Sequence, residues 1–350
     1  MRLENVLHLV NCHTEGVVCD VVVGGLPKIP GDTVLAQKKY FEQHLDHLRT
    51  MLCLEPRANK IRSVNVLVPT ANPDAQFGFL ILETTEIVEM SGGNIISVAT
   101  VLLETGMVPM HEPVTEFGLE TAAGLVPVRC RCKDGKVLDV TFTNQPAFVL
   151  IRDALIQVPH LGELRVDVAW GGMWYLIVDA EDVGLKLGPA EHEDVVRLGE
   201  LIKAAARDKL DVSHPTSPEF AASIQCTLFA GPLSRDELGT LRSKNAVVVS
   251  PGWIDRCPCG TGTSARLALM HARGDIAEGE LFVHESLIGT KFSSRVVDTT
   301  SVADIPAVIP EVTGRAWITG TSQVGVHPDD PFPNGFSMET LADGSVLTNL

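Results

Sequence analysis

Short runs of apolar and β-branched residues, closed by Gly, Pro, Asn or Asp, recur along the whole chain and predict a strand-rich protein. CDVVVGGLP (19–27), SVNVLVPT (63–70), FGFLILETTEIVEM (77–90), LVPVRCRC (125–132), VLDVTFTN (137–144), DVAWGGMWYLIVD (167–179), IQCTLFAGP (224–232) and AVVVSPGWID (246–255) all read as strands. Around KDGK (133–136) the pattern is that of a hairpin, so Cys130 and Cys132 share one strand face and pack there. Helical spacing is confined to 33–52, to 191–209, and to two short apolar segments. Strands interleaved with helices in this way place the chain in the α/β or α+β class.

The two apolar segments echo each other. SGGNIISVATVLLETGM begins at Ser91 and stops near Gly106; CGTGTSARLALMHARGD begins at Cys259 and stops near Gly274. In each, a hydroxyl or thiol immediately precedes small residues that open a helix, and each follows a strand-like run. The free N–H groups and positive dipole end of a helix start make an anion site, which suits a carboxylate. The same field favours a thiolate, so Cys259 is expected below its ordinary pKa of about 8.5 and usable as a base. A plain helix-cap role for Ser91, Thr261 or Thr263 is the alternative. Neither turn has the lysine of a phosphate loop, and GTGTSA lacks the full dinucleotide spacing.

Charge narrows the ligand class. The 350 residues carry 28 Lys and Arg against 44 Asp and Glu, a formal net charge of −16, which argues against nucleic acid as a partner. No apolar run reaches the roughly 18 residues of a membrane span, and no signal peptide is recognisable, so a cytoplasmic location is expected. The eight cysteines are scattered and taken as reduced. CPC (257–259) is spaced too closely for a zinc pair, which leaves it weak as a metal or redox motif. Length suggests two domains, with a boundary at about 165. Nothing in the sequence fixes the oligomeric state; a homodimer is allowed.

DRCPCGTGTSA (255–265) resembles the second signature of the proline racemase family, which also includes hydroxyproline epimerases and trans-3-hydroxyproline dehydratases. CHTEG (12–16), VVVGGLP (21–27), LRTMLCLEPR (48–57), EMSGG (89–93), WGGMWYLIVD (170–179), the His214-Pro215 pair and DPFPNGF (330–336) agree in order. The resemblance implies a diaminopimelate-epimerase-like fold. Its two pseudo-symmetric domains, each a curved sheet around a central helix, would be 1–165 carrying Ser91 and 166–325 carrying Cys259. The active site would lie between them, and the segment 325–350 would return to the first domain. It further implies cofactor-independent proton transfer with no metal. Ser91 and Cys259 take the acid/base positions, Gly92, Gly93, Gly260 and Thr261 offer amides to the carboxylate, and Asp255 holds the ring nitrogen. Cys257 is expected to be a bystander.

One departure matters. Racemases and most epimerases of the family carry MCGHG where this chain reads MSGGN, so Ser91 replaces a cysteine, Gly93 a histidine and Asn94 a glycine. A serine needs a neighbouring base to act as one, for which Asn94 and His13 are the candidates. With one strong and one weak group, the leading expectation is dehydration of trans-3-hydroxy-L-proline to 1-pyrroline-2-carboxylate. The second is 4-hydroxyproline 2-epimerase activity, as an alternative or an additional activity of the site. The third is an amino-acid binding protein without turnover.

Overall fold

The computed structural model describes residues 3–338. The chain forms two units, the first running to Phe142 and resuming at Gly314, the second spanning Thr143–Thr313. The first contains β1 (Glu4–Thr14), β2 (Val17–Gly24), α1 (Val34–His44), α2 (Asp46–Cys53), β3 (Arg62–Val68), β4 (Phe77–Leu82), β5 (Ile87–Val88), α3 (Gly92–Glu104), β6 (Val114–Thr121), β7 (Gly124–Lys133) and β8 (Lys136–Thr143). The second contains β9 (Ala147–Val158), β10 (Gly162–Trp170), β11 (Trp174–Asp179), α4 (His192–Arg207), β12 (Cys226–Ala230), β13 (Ser234–Arg235), β14 (Leu241–Val249), β15 (Trp253–Ile254), α5 (Gly260–Arg273), β16 (Phe282–Glu285), β17 (Lys291–Val302) and β18 (Ile305–Gly314). β19 (Ala316–Val326) belongs to the first unit.

The same pairing scheme is built twice. In the first unit β1 is antiparallel to β2, β2 parallel to β3, β3 antiparallel to β4, and β4 antiparallel to β5 and parallel to β6, which returns antiparallel to β7. In the second unit β10, β11, β12, β14, β15, β16 and β17 repeat this sequence of directions. The two apolar helices occupy equivalent places, α3 after β5 and α5 after β15. Each is buried over almost its whole length and packs against several strands of its own unit. The result is a mixed α/β fold dominated by sheet.

The domain boundaries differ from those expected. The first lies at 142/143 rather than near 165, because β9 hydrogen-bonds along β10 from Phe148–Trp170 to Val158–Gly162. The return begins at Gly314 rather than near 325, because β19 pairs antiparallel with β1 along its length. The remainder of the expected returning segment, from 339 onward, lies outside the described residues. The helix expected over 33–52 is two helices: Leu45 leaves helical geometry, and Asp46 opens α2 bound by Arg49 at 2.6 Å. The hairpin at 133–136 forms as read, with Asp134 and Gly135 both at positive φ, and Cys130 and Cys132 share its buried face. Among the described residues no helix is long and apolar enough to cross a membrane.

Strand alternation decides which side chains face each central helix. On β3, Val64 and Val66 join the core beneath α1 and α2, which leaves Ser63 and Asn65 on the α3 side. On β11, Trp174, Leu176 and Val178 pack in the core shared with α4, so Tyr175 points the other way, toward α5. On β14, Ala246 and Val248 join that same core and Asn245 faces the segment leading into α5.

Candidate active site

Two half-sites form at the starts of α3 and α5, and each is built inside its own unit. At α3, Ser91 is the N-cap in extended backbone, and its side chain does not cap the helix. The first helical hydrogen bond runs from Ile95 N–H to Ser91 C=O, 3.0 Å, so the amides of Gly92, Gly93 and Asn94 precede the helical ladder. Ser91 Oγ accepts a hydrogen bond from Asn94 Nδ2 at 2.9 Å. That orientation is imposed from behind: Asn94 Oδ1 accepts from Asn65 Nδ2 at 2.7 Å and from Ser63 Oγ at 3.0 Å, which fixes the amide nitrogen toward Ser91.

Asn94 is therefore a donor to Ser91 and not the base that a serine nucleophile or base would require. His13, the other candidate, accepts from Gly16 N–H at 3.3 Å and stacks on Trp317 at 5.1 Å between ring centroids, a turn-and-packing role. With its oxygen accepting from Asn94, Ser91 keeps its O–H proton free to donate. It is set up better as a proton donor than as a base.

At α5 the cap is Cys259, with φ +64 and ψ 109, a region that non-glycine residues rarely adopt. Its sulfur lies 3.1 Å from the Tyr175 hydroxyl and accepts Gly262 N–H at 3.4 Å. Tyr175 in turn lies 2.6 Å from Thr261 Oγ1. Gly262 keeps the space beside the sulfur tight: an added Cβ would stand 3.1 Å from Cys259 Sγ and 3.2 Å from the Tyr175 ring, so these neighbours would have to shift by a few tenths of an ångström. Gly171, in the turn between β10 and β11, admits the Thr261 carbonyl where a Cβ would be 2.1 Å from it. The first helical bond is Thr263 N–H to Cys259 C=O, 2.8 Å, leaving the Gly260 and Thr261 amides ahead of the ladder.

The cysteine expected to be a bystander is part of this turn. Asp255 Oδ1 accepts Cys257 N–H at 3.0 Å, and Cys257 Sγ accepts Cys259 N–H at 3.2 Å, so the side chains of Asp255 and Cys257 each hold the backbone two residues ahead. Electrostatics correct a second expectation. Burial, and then the negative charge of Asp255, push the Cys259 thiol up to about 12, which outweighs the lowering by Tyr175, Gly262 and Thr261. Burial likewise raises Asp255 to about 6, against hydrogen bonds from Cys257 and Cys259 that favour its anion. The helix start does help the thiolate, but dehydration of a buried sulfur costs more than those donors return. A cation brought to Asp255 would remove the second cause and move Cys259 back toward its thiolate.

Ser91, Gly92 and Gly93 thus come together at one helix start, and Asp255, Cys259, Gly260 and Thr261 at the other. Tyr175, Asn65, Ser63 and Asn245 were not singled out from the sequence, and Cys257 was read there as a bystander. The available signal was polar residues set among β-branched ones, as in SVNVLV, WYLIV and NAVVV. His214 forms a turn with Thr216 and lies edge-on to Trp170, Phe148 and Phe220 at 5.0 to 5.4 Å.

Comparison with known proteins gives a consistent answer. The family model described as proline racemase matches residues 9–337. A 4-hydroxyproline 2-epimerase from Streptosporangium roseum is 43% identical over 336 residues, covering 96% of this chain and 99% of the relative. A hydroxyproline epimerase from Agrobacterium vitis, solved with bound trans-4-hydroxy-L-proline, superposes with a TM-score of 0.89 at 40% identity, covering 98% of both chains. A probable proline racemase from Agrobacterium radiobacter, solved with bound carbonate, gives 0.88 at 40% identity over 97% of both chains.

Proposed function

The chain belongs to the proline racemase family, and we propose that within it this protein is a 4-hydroxyproline 2-epimerase. The relatives named above as acting on or holding hydroxyproline support this substrate class, and the dehydratase expected from Ser91 is not the activity they carry in their names. The observation that carries the reading is the repeated construction: two helix starts, each with amides ahead of the helical ladder that have no partner among the described residues, and with a hydroxyl or thiol side chain at the cap.

Epimerisation at the α-carbon needs one group to take a proton from one face and another to deliver one to the opposite face. In this proposal Cys259 and Ser91 are those two groups, and their roles exchange between the forward and reverse directions. Burial and, second to it, the Asp255 charge raise the Cys259 thiol; the substrate ammonium binds Asp255, which cancels that second cause and so favours the thiolate. The amides of Gly92, Gly93, Gly260 and Thr261 bind the carboxylate and stabilise the charge that builds up as the α-proton leaves. One such donor is typically worth about 2.7–4 kcal/mol of barrier. Ser91 delivers its hydroxyl proton to the carbanion while Asn94 Nδ2 stabilises the oxygen left behind. After one turnover Cys259 holds the substrate's proton and Ser91 lacks its own, so exchange with solvent restores the starting state. Solvent hydrogen therefore enters the α-position of the product.

The test is incubation of the purified protein with trans-4-hydroxy-L-proline in deuterium oxide, followed by chiral chromatography and mass spectrometry. Formation of cis-4-hydroxy-D-proline carrying one α-deuteron is expected. Loss of water from trans-3-hydroxy-L-proline, with no 4-hydroxy-D-proline formed, would replace this reading by the dehydratase. Binding without turnover of either compound would leave an amino-acid binding protein.

A further inference from the structure

Cys259 occupies a backbone conformation that an L-residue does not hold unaided. At φ +64 its Cβ crowds its own backbone, and such residues persist only where their surroundings overdetermine them. The peptide that enters it, between Pro258 and Cys259, is held at both ends. Its N–H donates to Cys257 Sγ at 3.2 Å. Its C=O accepts from Asn245 Nδ2 at 2.8 Å and from Thr263 Oγ1 at 3.4 Å.

Behind Thr263 stands a further residue that the proposed reaction does not use. His284 Nδ1 lies 2.9 Å from Thr263 Oγ1, and both side chains are fully buried. Its Nε2 has no partner among the described residues. A buried N–H without an acceptor is rarer than a bare acceptor, so the proton belongs on Nδ1, which donates to Thr263. Among the described residues Thr263 then has only the Pro258 carbonyl to receive its own proton. Burial, followed by the charge of Arg266, lowers His284 to about 3, so the imidazole is neutral and this arrangement holds throughout the working range of pH.

We propose that Asn245, Thr263, His284 and Cys257 are positioning residues that clamp the Pro258–Cys259 peptide and so hold Cys259 in the left-handed conformation that aims its sulfur. His284 acts through Thr263, and none of the four touches the reacting atoms. Strand alternation supplies two members, Asn245 from β14 and His284 from β16, and the first turn of α5 supplies Thr263. The clamp rests on the acid/base reading of Cys259 only for its effect on turnover; its effect on the backbone stands alone.

Three variants test it. Thr263→Val keeps the shape of the side chain and removes the hydroxyl, Thr263→Ser keeps the hydroxyl, and His284→Phe removes the group that orients it. For Thr263→Val, crystallography is expected to show φ of Cys259 leaving the positive region. Hydroxyproline α-proton exchange should fall about 100-fold in kcat with KM little changed, since a displacement near 1 Å suffices for such a loss. Thr263→Ser should keep both the conformation and most of the rate, and His284→Phe should follow Thr263→Val. Should Thr263→Val not fold, Asn245→Leu removes the other donor to the same carbonyl and is read in the same way. A Cys259 that keeps its φ in Thr263→Val and in His284→Phe overturns the clamp, whatever happens to the rate. A relaxed φ with full turnover upholds the clamp and overturns the acid/base role of Cys259.

Discussion

Replacing Tyr175 by phenylalanine isolates one contribution to the Cys259 thiolate. The substitution removes a hydroxyl 3.1 Å from the sulfur and leaves in place the ring that packs against Gly262. Tyr175 is buried, and burial, reinforced by the nearby cysteine charge, raises its phenol well above the ordinary value, so it stays protonated and has a proton to donate once Cys259 is a thiolate. A hydrogen bond to a charged acceptor is worth about 1.5–3 kcal/mol, and one pKa unit corresponds to about 1.36 kcal/mol. Loss of the donor disfavours the thiolate, so the Cys259 pKa should rise by about one to two units, to the extent that water does not fill the gap. At any pH below that pKa the thiolate fraction then falls by about 10- to 100-fold. The assay is alkylation by iodoacetamide across a pH series, read as the modified peptide containing Cys259, because all eight cysteines are buried free thiols. The alkylation profile should move toward higher pH, and the rising limb of kcat/KM should move with it. An unmoved or downward-moved profile would refute the donor role of Tyr175, even if activity were lost.

Asp255→Asn should show its effect on stability as a function of pH. The folded protein holds this proton up to about 6, against an ordinary value of 3.8 for the carboxyl, so it binds more protons than the unfolded chain between those limits and wild-type stability declines as pH rises through them. The stability of Asp255→Asn relative to wild type should therefore increase by about 3 kcal/mol from below pH 4 to above pH 6, measured by urea unfolding at both ends, and turnover should be lost; a constant difference would contradict the buried-charge account. Gly262→Ala places a methyl 3.1 Å from Cys259 Sγ, while alanine's helix propensity returns about 1 kcal/mol. Thermal stability should thus change little while α-proton exchange falls at least about tenfold, and parallel losses would argue for general misfolding. Asn94→Ala removes the acceptor of Ser63 and Asn65 and the donor to Ser91, so chemical denaturation should show a loss of about 2–3 kcal/mol, with slower delivery of solvent deuterium to product; unchanged deuterium delivery would remove Asn94 from the Ser91 half-site.

Much of the architecture was legible in the chain because it is local. The alternating runs marked most of the central strands, the KDGK turn marked its hairpin, and the glycines at 92–93 and 260–262 marked the two buried helices at nearly their observed starts. β1, β6, β9, β13, β16, β17, β18 and β19 were missed, and with β9 and β19 the domain boundaries. β1, β9, β17 and β18 form hairpins with near neighbours, so distance does not explain them; β19 pairs with a strand at the far end of the described chain, and such a partner leaves no local mark. β19 joins β1 across roughly the whole length of the chain.

The candidate site divides along the same line. Sequence by itself determined that Ser91 and Cys259 cap equivalent apolar helices, since a cap followed by glycines is a property of a few consecutive residues. It also carried the family. Only the tertiary structure decided how those caps are tuned: Asn94 turned toward Ser91 by two β3 side chains, Tyr175 and Gly262 on the Cys259 sulfur, and Cys257 under its backbone. Tertiary structure also reversed the expected ionisation of Cys259. A helix start favours a thiolate through nearby dipoles, but the cost of stripping water from sulfur depends on everything packed around it, and that is settled only when the distant strands have closed over the helix.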